Sequence, residues 1–212
     1  MRQRNIKNLA EKIECNSKAL VKEPREYKGR WAELFGNSNP IYLEIGCGKG
    51  KFIESKALAN PNCNFIACEG QSNVVLRALE KAEKTEGGNL LIFIDFVNDL
   101  GDYFQVGELK GIYLNFSDPW PKARHAKRRL TYRSRLVNYK EMMGAEGFVE
   151  FKTDNQGLFD FTVEEINAAG YSLVEITTDL HGESCTYNSK EYTTEYEDKF
   201  VQQGKKINYV KF

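Results

Sequence analysis

Seven short apolar runs, each bounded by polar residues, recur along the 212-residue chain. Their length and their content of β-branched and aromatic residues predict β-strands. The predicted strands are Ile41–Ile45, Asn64–Cys68, Leu90–Ile94, Gly111–Phe116, Phe148–Lys152, Tyr171–Thr177 and Ile207–Lys211. Between several of them, apolar positions repeat at three- and four-residue spacing, which predicts helices. The predicted helices are Lys51–Ala59, Asn73–Lys84, Tyr132–Met143 and Leu158–Ala169.

The alternation of strands and helices predicts βαβ units. We therefore expect one α/β domain over residues 1–212, with a central, mostly parallel seven-stranded sheet and helices on both faces. Gly144 and Gly170 stand where glycine commonly ends a helix. We expect residues 1–30 to form a basic, polar helical arm. We expect residues 179–205 to form an inserted loop region on the substrate side, before a last edge strand. In such a sheet, ligands bind beyond the carboxyl ends of the central strands.

Composition narrows the class of protein. Acidic and basic residues balance at 30 each, so this is not a globally basic protein that coats nucleic acid. The five cysteines form no Cys-x-x-Cys pair, so we expect neither a disulfide scaffold nor a metal site. The longest apolar runs are about six residues, far below the roughly 20 that span a bilayer. Without a secretory signal after Met1, we expect a cytoplasmic protein with no membrane contact.

Positive charge is concentrated in one segment. From Pro119 to Lys140 there are eight Lys or Arg residues and no Asp or Glu. Solvated faces usually mix both signs of charge. The segment therefore predicts a site for a phosphate-rich partner, with a solvated helix face as the alternative.

A glycine-rich turn follows the first predicted strand and directly precedes a helix. It reads Glu44-Ile-Gly46-Cys-Gly48-Lys-Gly50. Glycines at such a turn let the backbone approach a ligand, which predicts a cofactor site at these positions. A purely structural tight turn is the alternative, because many α/β proteins contain glycine here.

Acidic residues end the next two predicted strands and favour the cofactor interpretation. Glu69 is placed to accept hydrogen bonds from both hydroxyls of a ribose. Asp95 is expected within reach of an adenine amino group, and the amide of Phe96 within reach of the ring. An NAD enzyme would have a small residue at the position of Lys51. The compact G-x-G-x-G turn, preceded by Glu44, is instead typical of enzymes that use S-adenosylmethionine.

The fourth predicted strand ends in the sequence Asn115-Phe-Ser-Asp118-Pro119-Trp120. This string is similar to the Asp/Asn-Pro-Pro-aromatic signature of methyltransferases that act on ring or exocyclic nitrogens. At the end of strand four, Asp118 would lie beside the methyl donor, and we expect it to be the catalytic carboxylate. The alternative is a structural turn with Trp120 in the core.

Most of the chain resembles one family, the bacterial tRNA (guanine-N7)-methyltransferases. Besides the glycine-rich turn and the string from Tyr113 to Lys122, the matching strings are Tyr27-Lys-Gly-Arg-Trp31, Arg124-His-Ala-Lys-Arg-Arg-Leu-Thr-Tyr132, Phe151-Lys-Thr-Asp154-Asn155, Asp179-Leu-His181 and Thr194-Glu-Tyr-Glu197. The resemblance implies a Rossmann-like class I methyltransferase fold with S-adenosylmethionine as cofactor. It implies tRNA as partner, and a guanine at position 46 of the tRNA variable loop as acceptor.

The resemblance also implies roles for individual residues. Cofactor contacts are implied at Glu44, Glu69, the Asp95–Phe96 turn and Asp118. Contacts to the acceptor base or to tRNA are implied at Lys122, Asp154, Thr194, Glu195, Tyr196 and Glu197. Contacts to RNA are implied at Arg124, His125, Lys127, Arg128 and Arg129. The family usually has its strand-three carboxylate at the position of Phe96, so either Asp95 or a backbone group makes the adenine contact.

The chemistry of guanine N7 defines what the site must do. N7 carries a lone pair and no proton, so the reaction needs alignment of N7, methyl carbon and sulfur rather than a strong base. Asp118 and Asp154 are expected to orient the base and to stabilise the positive charge that develops on it. The alternatives are a non-catalytic RNA-binding module and a methyltransferase acting on another nucleic-acid nitrogen. The sequence leaves a monomer and a homodimer both open.

Overall fold

The computed structural model describes residues 6–84 and 87–212. The first five residues of the expected basic arm lie outside the described residues. The strands are β1 (Ile41–Ile45), β2 (Asn64–Cys68), β3 (Leu90–Phe93), β4 (Leu109–Asn115), β5 (Phe148–Thr153), β6 (Glu175–Thr177) and β7 (Asn208–Lys211). The α-helices are α1 (Leu9–Cys15), α2 (Trp31–Phe35), α3 (Lys51–Ala59), α4 (Ser72–Ala82), α5 (Arg133–Met143), α6 (Gln156–Ala168) and α7 (Glu195–Gln202).

The strands form one seven-stranded sheet in the order β3-β2-β1-β4-β5-β7-β6. Strands β1 to β5 are parallel, whereas β7 runs antiparallel to both β5 and β6. The strand order reverses between β1 and β4, which is where an open α/β sheet binds its ligand. The predicted mostly parallel seven-stranded sheet is confirmed.

Helices cover both faces of the sheet, as predicted. On one face, α3 and α4 contribute Phe52 and Leu79 to a cluster with the strand residues Phe65 and Ile92. On the other face, α5 and α6 pack against β1, β4 and β5. The central strands are therefore covered on both faces, which explains why they read as nearly continuous apolar runs.

The prediction that the last strand lies at an edge of the sheet is wrong. Strand β7 lies between β5 and β6, and Tyr209 and Val210 are buried. The edge strand is β6, which covers only the end of the predicted run from Tyr171 and leaves Ile176 42% exposed. The apolar content of β6 does not distinguish an edge from an interior strand, because pairing depends on the return path of the chain.

The expected basic arm contributes to the core rather than extending from it. Among the described residues of the arm, only Leu9–Cys15 is α-helical, and Ala19 and Val21 are buried. The Val21 amide donates to the carbonyl of Ile92 at 2.8 Å, and the Ile92 amide donates to Ala19 at 2.8 Å. This segment therefore pairs with the free edge of β3, an edge that would otherwise expose its backbone.

The region 179–205 also differs from the predicted loop, because it contains helix α7 and a 3₁₀ turn at Asn188–Glu191. Leu180 and Cys185 from this region are buried in a third apolar cluster with Ile207 and Tyr209. The region therefore packs against strand β7 of the sheet.

Candidate active site

A cleft of about 580 Å³ opens beyond the carboxyl ends of β1 to β4. It is lined by the predicted residues Gly46, Glu69, Asp95, Phe96, Asp118, Lys127 and Arg128. Residues from widely separated parts of the chain meet here because parallel strands end at one edge of the sheet. Gly48, Gly50 and Glu44 are not among the lining residues.

The three glycines of the turn all adopt a backbone conformation that favours glycine, but their surroundings differ. All have positive φ, at 77° for Gly46, 57° for Gly48 and 81° for Gly50, a conformation that side chains rarely adopt. A Cβ on Gly46 or Gly48 would meet nothing within 4 Å. A Cβ on Gly50 would lie 2.7 Å from the Cβ of Ala78. Gly50 is therefore required for the close packing of α3 on α4.

Glu69 is held by backbone amides at the edge of the cleft. Its Oε2 accepts from the Gly48 amide at 3.1 Å, and its Oε1 accepts from the Gln71 amide at 3.0 Å. The two bonds fix the carboxylate at the end of β2 and link it to the glycine-rich turn. Gly48 thus contributes to the site through its amide, although it does not line the cleft.

Glu44 is a buried carboxyl group, 1% exposed, beneath this turn. Its Oε1 accepts from Nδ2 of Asn115 at 2.8 Å, and its Oε2 has no hydrogen-bond partner among the described residues. Burial raises its pKa to about 8, an effect that the bond from Asn115 partly opposes. Asn115 lines the cleft, so Glu44 places an unused acceptor next to it.

The raised pKa of Glu44 predicts a pH-dependent stability. Between the ordinary pKa of 4.5 and about 8, the folded protein keeps the proton while the unfolded chain loses it. Stability therefore falls as pH rises through this window, by about 1.4 kcal/mol per pH unit from this group. Glu44→Gln mimics the protonated form. The difference in free energy of unfolding between the variant and wild type should therefore shift in favour of the variant as pH rises to about 8. Urea unfolding at several pH values tests this, and parallel curves for the two proteins would contradict it.

Asp95 is engaged in contacts that the sequence did not indicate. Its Oδ2 accepts from the hydroxyl of Tyr103 at 2.6 Å and from Nη2 of Arg25 at 3.4 Å. The neighbouring Phe96 is 67% exposed, and a Cβ on Gly70 would lie 2.3 Å from its ring. The end of β3 therefore presents an aromatic ring to the cleft beside a carboxylate that already has partners. No sequence motif near Arg25 or Tyr103 indicates that either residue contacts this site.

The turn after β4 is tight and presents Asp118 to solvent. Phe116 and Trp120 have φ values of 51° and 42°, which are unfavourable for residues with a side chain. Arg129 holds the turn, because its Nε donates to the Pro119 carbonyl at 3.0 Å and its Nη2 to the Trp120 carbonyl at 3.1 Å. The guanidinium of Arg128 lies 4.8 Å from the Trp120 ring centroid. Both arginines therefore have structural roles in this turn.

Only part of the basic segment is available for a partner. Arg133 pairs with Glu165, Arg135 donates to the Val97 carbonyl, and Lys140 donates to the Gly170 carbonyl. Lys122, Arg124 and Lys127 are exposed and make no ion pair within the described residues. His125 packs edge-on against Trp120, with centroids 5.8 Å apart. The positive surface is therefore narrower than the sequence suggested.

Asp154 lies at the end of β5, outside the lining of the cleft. Asn155 caps the following helix by accepting from the Leu158 amide at 2.8 Å, which leaves Asp154 in the strand-to-helix turn. Tyr196 connects this point to the cleft, because its ring centroid is 5.0 Å from that of Phe116. Burial and then the Asp154 carboxylate raise the pKa of Tyr196.

The segment Thr194–Glu197 forms the start of α7. Thr194 Oγ1 accepts from the Glu197 amide at 2.9 Å, and the Glu197 side chain accepts from the Thr194 amide, a capping box. Glu195 pairs with Lys81. Tyr196 is 45% exposed, so it is the member of this segment whose side chain is most open to a ligand.

Glu197 lies too deep for the substrate contact that the resemblance implied. It is fully buried, and it accepts from Nε2 of His181 at 2.7 Å and from Nζ of Lys152 at 3.3 Å. Lys152 is also buried, and its Nζ donates to the carbonyls of Ser189 and Tyr192 at 2.7 Å each. This pair anchors α7 to β5. The available signal was Lys152 itself, a cation in a predicted strand whose other residues are mostly apolar.

Sequence comparison identifies the family. Residues 38–210 match a family model described as "Putative methyltransferase". The tRNA (guanine-N(7)-)-methyltransferase of Lachnoclostridium phytofermentans is 47% identical over 208 residues, covering 98% of this chain and 96% of the relative. That of Geobacillus sp. is 45% identical, covering 98% of this chain and 93% of the relative. The chain belongs to the tRNA (guanine-N7)-methyltransferase family.

Solved structures agree with this family assignment at the level of the fold. An antibiotic-related methyltransferase superposes with a TM-score of 0.62 at 16% identity, covering 87% of this chain and 92% of the other. The 16S rRNA methyltransferase KamB gives 0.61 at 10% identity, covering 86% and 91%. The Rossmann-like methyltransferase fold implied by the resemblance is therefore confirmed.

Two further features are absent from the described residues of this methyltransferase. None of their helices combines the length and apolar content needed to cross a membrane. They also contain no cluster of three or more His, Cys, Asp and Glu side chains arranged to hold a metal ion.

Proposed function

We propose that this chain transfers the methyl group of S-adenosylmethionine to N7 of a guanine in tRNA, the guanine at position 46 of the variable loop. The observation that carries the proposal is that a single cleft is lined by Glu69, Asp118 and Lys127. These residues supply a ribose acceptor, a carboxylate for the reacting base and a contact for RNA phosphate. A cytoplasmic location follows from tRNA as the substrate.

The residues of the cleft fit the methyl donor. The Glu69 carboxylate, held by the Gly48 and Gln71 amides, is the acceptor that we assign to the ribose hydroxyls, and a Cβ on Gly46 would meet nothing within 4 Å, so the turn leaves open space there. Oε2 of Glu44 has no hydrogen-bond partner among the described residues, and the ammonium group of the methionine portion, bound beside Asn115, would favour loss of the Glu44 proton. When bound, the sulfonium supplies an activated methyl group.

The adenine contact is best assigned to the Phe96 side of the β3 turn. The Asp95 carboxylate already accepts from Tyr103 and Arg25, which reduces its capacity for a new donor. The exposed ring of Phe96 offers an apolar face, and its backbone amide offers a donor. Of the two alternatives that the sequence left open, we therefore propose the Phe96 backbone rather than the Asp95 carboxylate.

The protein's own residues act by positioning and by electrostatics. Guanine N7 has no proton to lose, so Asp118 does not need to act as a base. Its exposed carboxylate faces the cleft, where it can hold the amino and N1 hydrogens of guanine and stabilise the positive charge gained by the ring. The strained turn between Phe116 and Trp120 fixes the position of this carboxylate.

Replacing Glu69 should weaken binding of the cofactor specifically. Glu69→Ala removes a charged acceptor for the ribose hydroxyls, and hydrogen bonds to charged groups contribute roughly 1.5–3 kcal/mol. We expect roughly a tenfold to hundredfold loss of S-adenosylmethionine affinity by calorimetry. Glu80→Ala, which removes a half-buried carboxylate paired with Arg77, is the control. Unchanged affinity in folded Glu69→Ala would remove Glu69 from the site.

Removing the available cations should weaken tRNA binding. In Arg124→Ala/Lys127→Ala, the slope of log affinity against log salt should flatten by about one unit per lost phosphate contact. Arg128 and Arg129 are left intact because they hold the Trp120 turn. The control, Arg77→Ala/Lys110→Ala, removes the same two residue types elsewhere. If the slope matches wild type, the segment is only a solvated surface.

Nucleoside mass spectrometry tests the proposed function. Unmodified tRNA is incubated with the protein and S-adenosylmethionine, and we expect 7-methylguanosine as the product. A transcript with adenine in place of guanine 46 should yield none, and its methylation would refute the position. Another methylated nucleoside would indicate another acceptor nitrogen. Tight tRNA binding without any product or cofactor binding would indicate a non-catalytic RNA-binding module.

A further inference from the structure

A second cavity, of about 450 Å³, lies further along the edge of the sheet that forms the cleft. Its lining comprises Asp154, Gln156, Thr178, Lys205, Lys206 and Asn208. Asp154 follows β5, Thr178 follows β6, and Asn208 begins the antiparallel β7. All three positions fall at the same sheet edge as Asp118, so one extended ligand can reach both cavities.

A row of aromatic rings connects the cleft with this second cavity. Phe116 lines the cleft, and its ring lies 5.0 Å from Tyr196, which lies 4.3 Å from Phe200. The Nζ of Lys205 is 3.9 Å from the Phe200 ring centroid. Of these three rings Tyr196 is exposed, whereas Phe116 and Phe200 are half-buried. Accessible rings next to cations are how proteins bind single-stranded nucleic acid, by stacking on bases and by pairing with phosphates.

The two lysines of the cavity are exposed, and each forms only a surface ion pair. Residues 141–212 contain six lysines and fourteen acidic residues, so adjacent lysines stand out in this acidic part of the chain. Lys205 is 3.8 Å from Asp154, and Lys206 is 3.2 Å from Asp179. The lysine side chains are 49% and 73% exposed. Exposed ion pairs contribute little stability, so a phosphate can displace the carboxylates at small cost.

Asn208 supplies an independent sign that the cavity is incomplete. The residue is 4% exposed, and its Oδ1 is buried without a hydrogen-bond partner among the described residues. Buried amide groups are normally paired, because leaving one unpaired is unfavourable. A side chain that lines the cavity thus retains unused hydrogen-bonding capacity.

We propose that Tyr196, Phe200, Lys205 and Lys206 form a subsite for the nucleotide next to the acceptor guanine. The inference rests on the proposed function, which supplies the acceptor guanine in the neighbouring cleft. The flanking base lies against the exposed face of Tyr196, and its phosphate contacts the two lysines. The RNA then crosses the cleft between these lysines on one side and Lys127 on the other.

The phosphate contact is tested by Lys205→Ala/Lys206→Ala. We expect tRNA affinity to fall roughly tenfold near 0.1 M salt and the salt slope to flatten by about one to two units. The affinity for S-adenosylmethionine should stay at the wild-type value, which also shows that the variant is folded. Lys22→Ala/Lys110→Ala, which breaks two comparable surface pairs with Glu14 and Glu146, is the matched control. Salt slopes equal to that of the control would overturn the proposal.

The base contact is tested by combining Tyr196→Ala with RNA that lacks the neighbouring base. Tyr196→Ala should weaken binding of intact tRNA roughly tenfold, and Tyr196→Phe should restore it, because stacking needs only the ring. Transcripts with an abasic site on the 5′ or the 3′ side of the acceptor guanine serve as partners. For one of them, Tyr196→Ala should cause no further loss. Full losses with both abasic transcripts would overturn the stacking contact.

Failure of this inference can be told apart from failure of the proposed function. If wild-type protein forms 7-methylguanosine but both tests fail, the subsite is wrong and the proposed function stands. If wild-type protein forms no methylated product while tRNA binding still depends on Lys205, Lys206 and Tyr196, the subsite stands as an RNA-binding surface and the proposed function fails.

Discussion

Asp118→Asn should lower the single-turnover rate of tRNA methylation by roughly 10²–10³-fold, the cost of removing one preorganised electrostatic group. Asparagine keeps the shape of the side chain and most of its hydrogen bonding, but it removes the negative charge. The charge matters because the guanine ring becomes positive as the methyl group arrives. Asp118 is exposed in the cleft, so the substitution leaves no buried group without a partner. Affinities for tRNA and S-adenosylmethionine should stay close to wild type.

The pH dependence of the methylation rate distinguishes an electrostatic role of Asp118 from a role as general base. Because N7 has no proton to remove, the rate of Asp118→Asn should not recover at high pH. Asp160→Asn, which alters an exposed carboxylate on α6, is the matched control and should react at the wild-type rate. A near-normal rate in Asp118→Asn would mean that Asp118 is a structural turn residue. Asp154 would then be the better candidate for the electrostatic role.

The residues that we propose for the donor side could be placed at the cleft from the sequence, because their signals are local. Glu69 and Asp95 each end an apolar run, and parallel strands bring such ends together. The same rule placed Asp118 in the turn after β4. Sequence alone could not show that the Asp95 carboxylate would already be bonded to Tyr103 and Arg25, since those contacts span 8 and 70 positions.

The basic segment illustrates a different limit. A run of cations is visible in the sequence, but their partners depend on the tertiary fold. Arg129 binds the carbonyls of the Trp120 turn, and Arg133 pairs with Glu165 on α6, so neither is a free surface charge. Lys122 and Lys127 stay exposed. Charge density therefore predicted the surface correctly in place but not in extent.

The position of β7 was missed for a related reason. Its apolar sequence predicts a strand, but the pairing partner is set by how region 179–205 returns across the sheet. That return is anchored by the buried pair of Lys152 and Glu197. The residues of the string Thr194-Glu-Tyr-Glu197 have different structural roles. Glu197 caps and anchors α7, whereas Tyr196 lies exposed at the surface.

Lys152→Met should destabilise the fold by about 3–5 kcal/mol, the usual cost of removing one partner from a buried ion pair. Lys152 is 1% exposed and Glu197 is fully buried, and burial lowers the pKa of Lys152 while Glu197 opposes that shift. The substitution leaves the Glu197 carboxylate without its cation and leaves the carbonyls of Ser189 and Tyr192 without a donor. Urea unfolding followed by circular dichroism measures the loss.

A second variant shows whether the loss comes from the unpaired charge. Lys152→Met/Glu197→Gln removes both charges, so it should be more stable than Lys152→Met alone, although the two carbonyls still lack their donor. Lys110→Met, which breaks an exposed pair with Glu146, should change stability by about 0.5 kcal/mol or less. A loss below about 1 kcal/mol in Lys152→Met would show that water replaces the lysine and that the pair does not anchor α7. A double variant less stable than Lys152→Met would assign the anchoring to Glu197 through its capping box and His181.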